Sequence, residues 1–430
     1  MDGERRLDPV TEADLVAIRY QLPTIFSPGA PVRDAQFLAG RRDQIDRALA
    51  TVAQPGQHAA IYGERGVGKT SLATLIHDIW SKYIRDEEIV AARVSCNPGD
   101  TFESIWKRVA DSVLFDMKGR DAVAKGNGAF AESSAILAAE EAQPATVTRF
   151  LSLIGRKVII VIDEFDTVLD KSAQTLMAST IKELSDFVVD ATLFLVGVAD
   201  TVDELVDEHA SIERSLVQIF MPRMSPDELG EIVTSRLARV GMLIGPRELL
   251  RIAALSQGFP YYAHLLGLHA ATTAIDVRHD FTIQAAEVNA AIRHAIAQSQ
   301  QTILSDYVRA TRSPRPENLY RQTLLACALT PADDLGYFAP GDLKAPMSKI
   351  VRRQRDVPDF IKQLRALGTP ERGPALDQVG GHRTLRYRFH NALLKPYVVF
   401  RGVEENMITE QDAYCYAQPE LARQLMLLGD

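Results

Sequence analysis

Cysteine is scarce. The 430-residue chain has three, Cys96, Cys327 and Cys415, an odd number without CxxC spacing, so neither a disulfide framework nor a cysteine zinc site is expected. Long apolar runs are missing too. The greasiest stretch, Val158 to Ile162, falls far short of the ~20 residues that span a bilayer. The opening MDGERRLDPV lacks the apolar core of a secretory leader, so the expectation is a cytoplasmic protein with no membrane partner. A positive balance is lacking as well: the net charge of −8 argues against a protein that coats nucleic acid along its whole length. No repeat recurs at a fixed period. No nuclease, protease or other effector signature is visible, so any output is expected to pass through a separate partner protein.

What is present is the balance of a globular protein with a packed core, 46% hydrophobic and 24% charged. The length suggests two or three domains at about 150 residues each. Charge is unevenly spread. Arg309 to Arg401 holds 17 Lys/Arg against 8 Asp/Glu, an excess of +9 that leaves −17 for the rest, so a basic module is joined to an acidic one. Residues 1–35 read as an irregular, proline-punctuated extension. Within 36–222, FLAGRRDQIDRALATV and TSLATLIHDIWSKYI show helical spacing, whereas HAAIY, IVAARVSC, KVIIVIDEFD and LFLVGVAD are short apolar runs of strand type. That alternation implies βαβ units and a parallel sheet, interrupted by a Gly/Ala/Glu-rich insertion at about 119–144. Residues 223–308 read as helical throughout, a lid-like domain.

After the linker RSPRPENL, residues 309–402 place YRQTLLACAL and VPDFIKQLRALG, both helical, ahead of LDQVGGHRTLRYRF. In the last, Leu385, Tyr387 and Phe389 alternate with Thr384, Arg386 and Arg388 beside a Gly-Gly pair, a β-hairpin signal. Helices followed by a hairpin suggest a winged helix. Residues 403–430 form a mildly acidic tail without assignment.

The chemistry is concentrated in two motifs. GERGVGKTS, Gly63 to Ser71, fits Gly-x-x-x-x-Gly-Lys-Thr: glycines let successive N–H groups curl around phosphate oxygens, and the helix that follows adds its positive end. Gly63, Glu64, Arg65, Gly66, Val67, Gly68, Lys69, Thr70 and Ser71 are thus the expected nucleotide cradle, with Lys69 on the β/γ-phosphates and Thr70 on Mg²⁺. Asp163 and Glu164 end the apolar run VIIVI, where a carboxylate is costly unless it faces a cation or donors. Asp163 is expected to hold Mg²⁺ through water and Glu164 to act as general base on the attacking water. The fold class expected is α/β: a P-loop parallel sheet sandwiched by helices, a helical lid domain and a C-terminal winged-helix domain.

With these motifs, together with FLAGRRDQI, LFLVGVADTVDEL, IERSLVQIFMPRMSPDELGEIVTSR and SQGFPYYAHLLG, the chain from about Phe37 to Phe400 resembles the AAA+ ATPases of the origin-recognition and initiator branch and their relatives among the STAND signalling ATPases. The resemblance implies an ATPase using ATP/ADP and Mg²⁺. It sets Gly40 and Arg41 near the adenine and Asp200 at the sensor-1 position, where Asn is usual and where Thr201 is the alternative. It makes Arg214 an arginine finger reaching a neighbouring subunit; a surface arginine capping a helix is the other reading. In place of a lid arginine, SQGFPYY carries the Gly-x-Pro element whose Pro260 packs on the base, and His390 falls where such proteins set a histidine near the β-phosphate, unless it is a satisfied structural residue.

Arg352, Arg353, Arg355, Lys362, Arg365, Arg383, Arg386 and Arg388 make a footprint suited to phosphate backbone, or to docking on the acidic part of the same or an adjacent subunit. The functional expectation is an oligomerising ATPase that works on or near duplex DNA and recruits a partner. The alternative is a signalling switch in which ADP/ATP exchange controls assembly without DNA.

Overall fold

The computed structural model describes residues 12–29, 40–84, 89–121, 141–200, 202, 205, 212–313, 318–381, 384–417, 423–424 and 426–427. Among these, residues 40–222 form one compact unit, and residues up to 29 together with those from 223 onward form another.

The first unit is built on five parallel strands: β1 (His58–Gly63), β2 (Val90–Ser95), β3 (Val158–Asp163), β4 (Ala191–Val198) and β5 (Leu216–Phe220), in the spatial order β2-β3-β4-β1-β5. β3 is buried along its whole length and β4 along all but its last residue, which is why both read as unbroken β-branched and apolar runs. Helices α2 (Arg42–Ala53), α3 (Lys69–Ile84), α4 (Phe102–Asp121), α5 (Pro144–Leu153) and α6 (Lys171–Asp186) flank the sheet. The periodic residues of α3, Leu72, Leu75, Ile76, Ile79 and Trp80, are all buried. Trp106 and Phe150, from α4 and α5, are fully buried in the core with the β3 side chains. The Gly/Ala/Glu-rich insertion falls largely at 122–140, outside the described residues.

The second unit begins with a correction. The segment read as irregular contains helix α1 (Glu12–Ile25), with Pro23 inside its last turns. Tertiary contact outweighs the proline: Leu22 and Phe26 are fully buried, the Phe26 ring meets His264 edge-on, and the Arg236 guanidinium donates to the Ile25 carbonyl at 3.1 Å. Next come α7 (Pro226–Arg239), β6 (Leu243–Ile244), α8 (Pro246–Ser256), α9 (Pro260–Thr273), β7 (Thr282–Ile283), α10 (Ala285–Ala297) and α11 (Gln301–Thr311). Ser225 and Glu228 form a reciprocal capping box at the start of α7. The basic module continues with α12 (Tyr320–Leu329), α13 (Lys344–Val351), α14 (Val357–Ala366) and a hairpin of β8 (Leu376–Val379) and β9 (Arg386–Phe389). Tyr387 also bridges Phe338, so a third short segment joins the hairpin. Tyr387 and Phe389 are buried, as the alternation requires.

The tail is less loose than its composition suggests. After α15 (Leu394–Glu404), α16 (Glu410–Ala417) packs back, with Glu410 paired to the buried Arg251 at 2.9 Å. Cys96 and Cys327 are buried, Cys415 is exposed and none is in a disulfide. No helix among the described residues is long and apolar enough to cross a membrane.

His58, the first residue of β1, ties that strand to β4. Its Nδ1 accepts the Leu193 N–H at 3.1 Å, and burial pushes the imidazole down to about 4. The folded state therefore keeps this ring neutral while the unfolded chain takes up a proton below about 6.5. Stability attached to His58 is complete above pH 6.5 and is lost as pH falls towards 4, by at most about 1.4 kcal/mol per pH unit. Thermal melts between pH 7 and 5 are expected to show this slope in the native chain and a shallower one in His58→Asn.

Candidate functional site

Parallel strands place their C-terminal ends on one edge of the sheet, where ligands of open α/β sheets bind. The strand order puts β4 between β1, which feeds the glycine loop, and β3, which ends in Asp163. Two inter-strand steps of about 4.8 Å leave a gap of roughly 10 Å between them. Asp200 lies two residues beyond β4, half-buried, at the same end of the sheet. Thr201, its alternative, lies outside the described residues.

The loop is held in a conformation that requires glycine at its first position. Gly63 has φ of +141°, and a Cβ there would stand 2.5 Å from the Met221 carbonyl. Gly66 and Gly68 also have positive φ. The N–H groups of Arg65, Gly66, Val67 and Gly68 meet no acceptor among the described residues, so a row of donors is presented at the start of α3. That is the arrangement a polyphosphate fits. Arg41, buried and itself in the left-handed region at φ 59°, braces the loop from behind by donating to the Val67 carbonyl at 3.1 Å and the Pro222 carbonyl at 2.7 Å.

Lys69 is folded onto its own loop, with Nζ 3.0 Å from the Gly63 carbonyl and 2.8 Å from the Glu64 carbonyl. Burial pushes its ammonium down to about 8, against the nearby charges of Asp166, Asp163 and Glu64, which favour the charged form. Asp163 is almost fully buried. Its Oδ1 accepts from Thr70 Oγ1 at 3.3 Å and from the Glu164 N–H at 3.0 Å, while its Oδ2 accepts from the Arg93 guanidinium at 3.0 Å. Glu164 adopts a left-handed backbone, φ 56°, and is exposed. That turn is what aims its N–H back at the preceding carboxylate. Left-handed backbone is uncommon outside glycine and concentrates at functional sites.

The motif residues Gly63 to Ser71, Asp163, Glu164 and Asp200 thus share one end of the sheet. Arg214 does not. It precedes β5, whose first residue pairs with His58, so it lies at the opposite edge, and its exposed side chain is paired with Asp186 at 3.2 Å. Pro260, at the first position of α9, and His390 belong to the second unit. His390 Nδ1 is 2.8 Å from Asp377 Oδ1 on the hairpin.

The basic footprint divides. Arg386 pairs with Asp333, and Arg388 with Asp377 at 3.4 Å, both guanidiniums lying over the Tyr337 ring. Arg355 is half-buried, whereas Arg352, Arg353, Lys362 and Arg365 are exposed; Arg383 lies outside the described residues.

Two residues that motif reading passed over belong to the site. Arg93 reaches Asp163 from β2, where Val161 is its register partner. Asp166 packs its carboxylate over Gly197, where a Cβ would come within 2.8 Å of Oδ1. The second carried a signal, the third acid of DEFD; the first carried none until β2 was paired with β3.

Comparison with known proteins agrees with this geometry. A Walker-type ATPase of Pyrococcus abyssi superposes with a TM-score of 0.53 at 12% identity, covering 87% of this chain and 99% of that one. The Cdc6 protein of Pyrobaculum aerophilum aligns over 90% of this chain and 99% of its own at 15% identity, with a TM-score of 0.45. Over 172 residues, 38% of this chain and 68% of the relative, the sequence is 27% identical to an aliphatic sulfonates import ATP-binding protein of Streptomyces avermitilis. The Pyrococcus superposition supports the fold of a P-loop ATPase. The family model described as Novel STAND NTPase 1 matches residues 31–326, a span that contains the whole glycine loop, both strand-end acids and the Gly-x-Pro turn. The chain therefore belongs to the Novel STAND NTPase 1 family of P-loop NTPases.

Proposed function

We propose that the protein is a Mg²⁺-dependent ATPase whose nucleotide state controls its association with further copies of itself, on or near duplex DNA, and through that the recruitment of a separate partner protein. The observation that carries this reading is the meeting of Thr70 and Asp163 beside a buried Lys69, next to the N–H groups of Arg65 to Gly68, which meet no acceptor among the described residues. The loop N–H groups take the phosphate oxygens, and Lys69 exchanges the Gly63 and Glu64 carbonyls for β/γ-phosphate oxygens. Thr70 and Asp163, hard oxygen donors, are the residues that would hold Mg²⁺; the ion supplies charge neutralisation of the phosphates. Glu164, exposed at the mouth, orients the attacking water and accepts its proton. Asp200, at the same end of the sheet, acts as a polar sensor. Arg214, at the far edge of the sheet, cannot serve its own site and suits a role in trans, where a planar guanidinium stabilises phosphoryl charge. Pro260 and His390 are assigned to the base and the β-phosphate.

The exposed Arg352, Arg353, Lys362 and Arg365 on and before α14 support the DNA contact. One observation favours a second reading, a signalling switch that does not use DNA: Arg386, Arg388 and His390 are already engaged with acids of their own module, which removes part of the charge a hairpin wing would bring to phosphate.

The Lys69 ammonium gives a sign for pH. Near pH 7 it is charged and ready for phosphate; above about 8 the empty site has lost that proton and binding must recover it. ATP affinity measured by titration calorimetry is expected to weaken by about twofold from pH 7 to 8 and by about tenfold by pH 9, with the slope abolished in Lys69→Met.

Full-length Glu164→Gln and Arg214→Ala are expected to bind ATP with native affinity and to lose phosphate release by 100-fold or more, on the order expected for loss of a general base or an arginine finger. Particle mass measured with ADP and with a non-hydrolysable ATP analogue, each with and without duplex DNA, separates the two readings. Growth that needs both ATP analogue and DNA supports the first; growth with the analogue that ignores DNA supports the second. An unchanged turnover in Arg214→Ala removes the finger.

A further inference from the structure

Arg93 is the one strong cation that touches the carboxylate of Asp163 among the contacts described above, and the ATPase reading gives it no task. It sits on β2, an edge strand of the sheet, with Val161 as its partner across the ladder and Ser95 opposite Asp163 two residues on. Its side chain is 37% exposed, whereas that of Asp163 is 4% exposed. A carboxylate so buried is costly unless a cation or several donors face it. Here the two oxygens are unequally committed. Oδ1 already takes the Thr70 hydroxyl and the Glu164 N–H, both fixed by the local chain, and Oδ2 takes Arg93 alone. Thr70 can keep its proton on Oδ1 while offering a lone pair elsewhere. Oδ2 is therefore the oxygen left for a metal or its water, and Arg93 holds it.

We propose that Arg93 is a built-in counter-cation that occupies Asp163 when no metal is present and must yield Oδ2 before Mg²⁺ can settle, so that it sets the Mg²⁺ concentration at which the nucleotide is held. This rests on the ATPase reading and deepens it. Arg93 acts through Asp163 and touches no substrate; it is a positioning residue. Two cations compete for one buried oxygen, and the arginine, tethered at its half-exposed position on an edge strand, can swing to solvent with little repacking. The nucleotide without metal makes its contacts with the loop N–H groups and Lys69, none of which involves Arg93, so its affinity is insensitive to the residue.

The test is equilibrium binding of a fluorescent ATP analogue to the full-length protein, first in EDTA and then along a Mg²⁺ titration, for the native chain, Arg93→Gln and Arg93→Lys. Expected is unchanged affinity in EDTA for all three, which also reports an intact fold. The Mg²⁺ needed for half-maximal tightening is expected to fall by about tenfold or more in Arg93→Gln, from the lower end of the range for one hydrogen bond to a charged group upward, and to stay within about twofold of native in Arg93→Lys. A half-maximal Mg²⁺ in Arg93→Gln that is unchanged or raised overturns the proposal, as does a loss of affinity in EDTA. Failure of the ATPase reading looks different: the native protein itself then binds no analogue, or binds it with no response to Mg²⁺.

Discussion

A buried carboxylate must be answered by positive charge or by several donors, and the organisation of the first unit follows from how Asp163 is answered. It ends a strand with no exposed residue, so water cannot solvate it. The chain supplies instead a hydroxyl from the helix after the glycine loop, a backbone N–H from a left-handed residue and a guanidinium from the neighbouring strand. Each donor comes from a different element, so the acid fixes the spacing of the loop, the strand end and the sheet edge relative to each other. The cost of an unanswered charge, several kcal/mol, is what makes this end of the sheet specific in geometry while remaining open to a ligand that can take over the same role.

The loop obeys the complementary constraint. The N–H groups of Arg65 to Gly68 meet no acceptor among the described residues, and the lysine turns back onto the loop's own carbonyls. A site with unspent donors on one side and a fully engaged acid on the other is polarised towards an anion that brings its own cation. Arg41 and Met221 hold this arrangement from beneath: the first by two carbonyl contacts, the second by filling the space that any side chain at position 63 would need.

Much of this was legible in the residues themselves. GERGVGKTS and VIIVIDEFD announce loop, helix start and buried strand end by composition and spacing, and the hairpin after residue 376 follows from alternation about a Gly-Gly pair. What escaped has a common cause: it depends on contacts between residues far apart in the chain. Arg93 means nothing until β2 lies beside β3. The helix at Glu12–Ile25 was masked by Pro23, because local propensity cannot register the burial of Leu22 and Phe26 that stabilises it. The hairpin arginines read as free charge because Asp333 and Asp377 were counted only in a net balance and not as partners. The short helix at Glu410–Ala417 is held by an ion pair to Arg251, a residue more than 150 positions earlier.

That first helix has an implication for biosynthesis. Its end docks on a histidine 237 residues downstream of Ser27, with the entire strand-and-loop unit translated in between. At ribosomal rates of about 5–20 residues per second, Phe26 leaves the exit tunnel tens of seconds before its pocket exists, so the nascent chain must carry an uncovered aromatic while a whole parallel sheet assembles behind it.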